Sequence, residues 1–354
     1  MVLILLLSPL ACKEAPPAPQ IPGPPTPKDP RTFSWTLDTL APPGSFQVFM
    51  KSIWGSSPAD VYVVGHNADP GPGTMLRYDG KKWSTTGFHA AEGGPISGPV
   101  SLEAVCGFNA NDVWVVGERI FQNPTPPPNF LDSSLIIHFD GHSWSESAHS
   151  PGGILLAVWG SSPTDVWAAG VQGTLFHFDG AQWLRSAIAD TCWFASLCGF
   201  SANDVYALGY KFDTPPRDTE YYYIWHWDGA LWSAVDSNAQ TYTHNDSFGT
   251  ECIKVIGGTL YSSGSGLFKK TASGWQNIFL DLTTWWIHAF DGTSGGRMFL
   301  AGSQSSVYFF DGSSGYRYPQ FTDPSVDYFG VWTDGNEVFF VGTTGFKSYV
   351  LRGK

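Results

Sequence analysis

A chain of 354 residues has room for two ordinary domains, yet only 14% of it is charged while 16% is aromatic, with 16 Trp, 40 Gly and 26 Pro. Aromatic side chains fill pleated, buried surfaces and Gly and Pro punctuate them, so this composition predicts one large all-β body. The formal net charge of −12 repels a phosphate backbone over most of the surface and excludes a dedicated nucleic-acid binder.

The chain opens MVLILLLSPLACKEAPPAPQ, in which Val2 to Leu7 form an apolar run too short to span a bilayer, followed by small residues and Cys12. This segment resembles the lipobox of bacterial lipoprotein signals. The resemblance implies that residues 1–12 are a signal segment whose cysteine, Cys12, becomes the acylated first residue of a membrane-tethered protein. Because Lys13 is not the Asp that retains such proteins in the inner membrane, it also implies an outer-membrane location in a Gram-negative host, with secretion as the alternative. Residues 13–31 read as a linker: APPAPQIPGPPTPKDP, from Ala15 to Pro30, cannot donate ladder hydrogen bonds and favours an extended, semi-rigid spacer.

Residues 32–354 read as a single domain made of repeats. Four stretches align directly: IWGSSPADVYVVG (Ile53 to Gly65), VCGFNANDVWVVG (Val105 to Gly117), VWGSSPTDVWAAG (Val158 to Gly170) and LCGFSANDVYALG (Leu197 to Gly209). Each is followed by a second signature, LRYDGKKW ending at Trp83, IHFDGHSW at Trp144, FHFDGAQW at Trp183 and WHWDGALW at Trp232. The steps between Asp60, Asp112, Asp165 and Asp204 are 52, 53 and 39 residues, the size of a propeller blade.

Within one unit a short strand ends at Trp-Gly or Cys-Gly, and a turn follows whose Asp is placed to accept backbone N–H bonds. Val-Trp-Val-Val and its relatives are apolar on both sides of the pleat, as a strand covered on both faces must be. Asp-Gly closes the next hairpin, and the Trp beyond it is expected to pack between blades. Each unit is therefore a four-stranded meander. Cys252 to Trp275 and Ile287 to Arg317 are degenerate units, and Tyr328 to Lys354 supplies three strands with no final Trp strand. Thr32 to Leu40, which carries Trp35, is expected to complete that last blade by pairing near Phe346 to Leu351. The 324 residues from Arg31 to Lys354 give about 46 per blade over seven blades. The predicted fold is an all-β, seven-bladed β-propeller closed by an N-terminal strand.

The WGSSPxDVWxxG and HxDGxxW pattern resembles a family of bacterial secreted lipoproteins expected to form propellers. It also resembles, more distantly, the Asp-box of sialidase-type propellers, from which its spacing differs by one residue because Asp179 and Gly180 are adjacent. No sialidase catalytic residue carries over.

His138, His177 and His226 occupy one position in successive units, but equivalent positions diverge from a propeller axis and do not share a coordination sphere. They read as structural, as do the repeated Asp residues of the two turns, and neither metal nor cofactor is predicted. No metalloprotease, nucleophile-elbow, phosphate-loop or dinucleotide motif is present in the sequence. Cys106 and Cys198 fill the slot of Trp54 and Trp159 and are expected as buried thiols. Cys192 and Cys252 open consecutive blades and are expected to form a disulfide.

Strands that run alternately up and down put the Ser-Ser-Pro-x-Asp and Asp-Gly turns on one plain face. The four long insertions fall on the other: Gly87 to Val100, Glu118 to Ser134, Tyr210 to Tyr222 and Asp236 to Glu251. Function concentrates on variable segments held by a rigid scaffold, which makes Glu118, Phe121, Phe130, Phe212, Arg217, Tyr221, Tyr222, Tyr242 and His244 candidate binding residues. They suggest a shallow saddle between blades 2 and 4. The expected function is a monomeric, non-enzymatic cell-envelope module that presents this face to a protein or a glycan. A polysaccharide hydrolase or lyase with its site at the channel mouth is the alternative.

Overall fold

The computed structural model describes residues 27–354 apart from 43–44, 46, 68–71, 152, 187, 189–190, 213–219, 241–245 and 281–285. They build seven four-stranded antiparallel sheets. The first strand of every blade lines a central cavity of about 720 Å³, and three further strands step outward from it. The final blade takes its outermost strand from the other end of the chain. Trp35–Leu40 pairs antiparallel with Lys347–Gly353, in a register that runs from Trp35 opposite Gly353 to Leu40 opposite Ser348. The pairing lies about two residues further along than the sequence suggested, because Phe346 sits in the preceding turn and accepts a backbone bond from Val48 instead.

One side-chain stack recurs through the blades. The second strand carries an aromatic residue at the same place in all seven: Tyr62, Trp114, Trp167, Tyr206, Tyr261, Phe299 and Phe339. On its third-strand neighbour a flat or cationic group covers that ring in five blades. His138 stacks on Trp114 at 3.9 Å, His177 on Trp167 at 4.1 Å and His226 on Tyr206 at 4.5 Å, while Arg77 and Arg352 lie over Tyr62 and Phe339. An acid at the start of the second strand then holds the covering group. His177 Nε2 lies 2.6 Å from Asp165, His138 Nε2 2.9 Å from Asp112, His226 Nε2 2.8 Å from Asp204 and Arg77 Nε 2.6 Å from Asp60. Glu337 does the same for Arg352 at 2.7 Å.

This corrects the role expected of the first-turn Asp residues. They bind side chains, and the turn N–H groups go to Ser57, Asn109, Ser162 and Ser201. The reason is geometric: each Asp begins a strand, so its carboxylate points along the sheet to the third strand rather than back into the turn. The Asp-Gly carboxylates do bind backbone. Asp79, Asp140, Asp179 and Asp228 each accept two turn N–H bonds, which hold their pKa below the ordinary carboxylate range.

The hairpin Trp residues pack backward onto the preceding blade, as expected. Trp144 meets Tyr62 edge-on, Trp183 meets Trp114 and Trp232 meets Trp167. The Trp that ends a first strand packs forward, over the glycine of the next blade. A Cβ on Gly107 would lie 2.6 Å from the Trp54 ring, so Gly in Trp-Gly keeps room for its neighbour.

The expected bridge between Cys192 and Cys252 does not form. Cys192 precedes its blade's first strand, Trp193–Ser201, and is packed between blades 3 and 4 with Trp167, Leu175 and Phe194. Cys252 instead opens the first strand of blade 5, with its sulfur 3.9 Å from the Ser196 hydroxyl, and packs against the core between blades 5 and 6. Cys106 and Cys198 are free and line the cavity. Burial pushes the Cys106 thiol up to about 12, which removes the thiolate needed for reactivity.

Candidate interaction face

The mouth of the cavity on the insertion face is shaped by a β-bulge that the repeat motif conceals. In six first strands one residue is unpaired near the start: Lys51, Glu103, Leu156, Ala195, His288 and Phe329, each lining the cavity. A bulge re-aims a side chain and brings the two backbones closer. That approach explains the glycine closing each Asp-Val-x-x-x-Gly run, since a Cβ on Gly117 would sit 2.0 Å from the Ser101 carbonyl oxygen. The mouth residues were missed as site candidates. Their only signal is a charge inside an otherwise apolar run, as in VFMKSIWG and VSLEAVCG.

The charges at the mouth are largely matched. Lys51 Nζ lies 2.6 Å from Glu103, and His288 lies 3.3 Å from Glu251 and 2.9 Å from Ser303. Phe49 and Phe329 pack together beside them, with His66 stacked on Phe49 at 5.0 Å.

The insertions differ in kind. Gly87 to Val100 is not an open loop: Phe88 and Ile96 are buried in the core between blades 1 and 2, and His89 is tied to Gly98 and Ala91. The blade 2 and blade 4 insertions are strand extensions. Asp112–Gln122 and Phe130–Phe139 form a hairpin that rises well past Asp165–Gly170 and Leu175–Phe178 of blade 3. Asp204–Phe212 and Glu220–Trp227 rise similarly on blade 4. Two tall hairpins thus flank one short blade.

Strand alternation sorts the candidate residues by side. Val113 and Val115 pack toward blade 1, and Trp114 and Val116 toward blade 3. Continued up the hairpin, this turns Glu118, Ile120 and Gln122, with their partners Ser134, Asp132 and Phe130, toward the blade 3 sector. Phe121 and Leu131 turn the other way with Arg119, which binds the Ser97 carbonyl in the blade 1 insertion. On blade 4, Ala207 packs toward blade 3 and Leu208 toward blade 5. Lys211, Tyr221 and Tyr223 therefore face the saddle, while Tyr222 faces blade 5 and donates to Glu220 at 2.7 Å. Phe212 ends its strand on the same hairpin, and Arg217, Tyr242 and His244 lie outside the described residues.

Glu118 has the most perturbed carboxyl of this face. Burial first, then the Asp132 and Glu103 carboxylates, raise it from 4.5 to about 7, with Lys51 opposing. An acid raised on folding binds more protons in the native state between its two values. Stability contributed by its neutral form is therefore lost as pH rises from about 4.5 to about 7. Glu118→Gln is expected to gain on the order of 1–2 kcal/mol over wild type at pH 8 and nothing at pH 4, after allowance for partial solvent screening. Urea unfolding at both pH values checks this, and an equal gain at pH 4 would count against it.

No protein-family description matches the chain, and no curated protein matches it. Solved structures do. YCF48 bound to a D1 peptide superposes with a TM-score of 0.63 at 14% identity, covering 93% of this chain and 98% of that one. YCF48 from Cyanidioschyzon merolae gives 0.59 at 16% identity, covering 89% and 98%. The WD40 β-propeller domain of Doa1 gives 0.53 at 12% identity, covering 90% and 97%. At these identities the likeness establishes the seven-bladed propeller fold.

Proposed function

We propose that this propeller is a non-enzymatic protein-interaction module of the cell envelope, tethered through Cys12 and the Pro-rich segment. The observation that carries the reading is the pair of extended hairpins on blades 2 and 4. They project from one face around the cavity mouth and leave a sheltered groove over blade 3. A long hairpin that adds nothing to the propeller core is ordered surface available to a partner. A propeller of the same fold in complex with a peptide, YCF48 with D1, supports a protein rather than a glycan as partner.

The position of the first described residues supports the tether. Arg31 is paired with Asp311, and Arg297 binds the Lys28 carbonyl at 2.8 Å together with that of Gly335. Asp311 and Gly335 belong to turns of the plain face, so a tether that ends at Lys28 leaves from the side opposite the hairpins. The interaction face then looks away from the lipid surface. The channel carboxylates Glu103 and Glu251 are held by Lys51 and His288, which argues against the polysaccharide-cleaving alternative.

Two measurements test this. Shortening each hairpin to blade 3 length is expected to abolish capture of the cross-linked envelope partner while shifting thermal unfolding by only a few degrees. Cys12→Ser is expected to release the protein from the membrane fraction. Capture that survives both truncations would sink the interaction face, and a wild-type protein of lipid-free mass would sink the tether.

A further inference from the structure

The saddle over blade 3 has walls of unlike chemistry. The blade 2 wall carries Glu118 nearest the mouth, Asp132 and Ile120 side by side above it, and Phe130, 62% exposed, at the crest. Among the described residues neither carboxylate has a hydrogen-bond or ion-pair partner, whereas Glu103 is held by Lys51 and Glu146 by Arg119. The blade 4 wall carries Tyr221 and Tyr223, with Lys211 over the Tyr223 ring at 5.0 Å. The floor is the tight turn of blade 3, Val171 to Thr174, and the inner end opens at Leu156 on the cavity mouth.

We propose that this groove takes an extended polypeptide segment presenting an arginine or lysine beside an apolar side chain, the basic group seated on Glu118 and Asp132. The inference rests on the protein-interaction reading above and names the chemistry of its partner. A partner that runs from Phe130 down the wall to the cavity mouth also removes water from Asp132, two residues along the strand, and from Glu118 nearer the mouth. A desolvated carboxylate left unpaired opposes binding, which a neutral or acidic segment would have to offset and a guanidinium cancels with charge-assisted hydrogen bonds. The net charge of −12 steers a basic segment inward before contact.

The test uses the full chain and three fluorescein-labelled hexapeptides with one leucine frame, carrying arginine, glutamine or glutamate at alternate positions. Anisotropy titration at pH 8 is expected to show the arginine peptide bound about tenfold or more tighter than the other two. Glu118→Gln with Asp132→Asn is expected to bring it down to the level of the glutamine peptide, and Phe130→Ala to weaken it about fivefold. Asp323→Asn, at an exposed turn away from the saddle, is expected to leave binding unchanged. Affinity for the arginine peptide is also expected to rise between pH 6 and 8 as Glu118, facing Asp132, Glu103 and Lys51, loses its proton. That slope disappears in Glu118→Gln.

Equal or tighter binding of the glutamine or glutamate peptide, lost on hairpin shortening, would overturn the basic partner and leave the interaction face standing. Arginine-peptide binding indifferent to the double substitution would overturn the proposed seat. Failure of all three peptides to bind at millimolar concentration would overturn both readings.

Discussion

A chain lacking residues 32–40 is expected to lose more stability than any single core substitution costs, on the order of 5 kcal/mol or more, and to elute as oligomers. Those residues close the ring. Trp35–Leu40 contributes a full register of pairs to Lys347–Gly353, and Trp35 meets Tyr318 at 4.7 Å and Phe321 at 5.2 Å across the blade 6–7 boundary. Phe33 stacks on Phe299, and Asp38 accepts from Trp83 in blade 1. Deletion removes these contacts together and exposes Lys347–Gly353 as an unpaired edge, a template for association with another chain. Urea unfolding followed by Trp fluorescence, with size-exclusion chromatography, checks the outcome. An unchanged midpoint with monomeric elution would mean that the closing strand is dispensable.

Trp167→Ala is expected to destabilise by about 3–5 kcal/mol, whereas Leu184→Ala in the same blade changes stability by less than about 0.5 kcal/mol. Trp167 is 1% exposed, and Leu184 is 46% exposed on the outermost strand. The Trp167 ring is enclosed on three sides by His177, Trp227 and Trp232, so its loss leaves a cavity between two blades that rigid sheets fill poorly. Trp167→Phe keeps a ring beneath His177 and is expected to cost less than half as much. Comparable losses for Trp167→Ala and Leu184→Ala would show that the inter-blade stack carries little of the stability.

The candidate face was legible only in part. Insertion length and strand alternation place Glu118, Phe121, Phe130, Tyr221 and Tyr222 on one face of the propeller, and that follows from counting strands. Which wall each side chain faces depends on whether the insertion is a loop or a longer strand. Residues 118–122 continue the ladder with residues 130–134, which imposes a period of two and sends Phe121 and Phe130 to opposite sides. Lys51 and Glu103 escaped notice because a lone charge inside an apolar run does not by itself reveal a bulge. It appears only as a mismatch between two strands once they are paired.

The blade count, the meander and the closing strand could be read from the sequence because they rest on local signals repeated at blade spacing. Asp-Gly turns, doubly apolar strands and hairpin Trp residues each act over a few residues, and their repetition makes the assignment redundant. Tertiary structure alone decided the rest, where the partners are remote along the chain or in another blade. Asp165 could bind the turn beside it or the histidine twelve residues on, and strand direction settles it for His177. Cys192 and Cys252 share a position in the sequence reading, but one residue before a strand and one residue within it point to different cores. Glu118 reads as an ordinary acid until the fold buries it and brings the Asp132 and Glu103 carboxylates near it, because desolvation and electrostatic coupling follow position in space rather than along the chain.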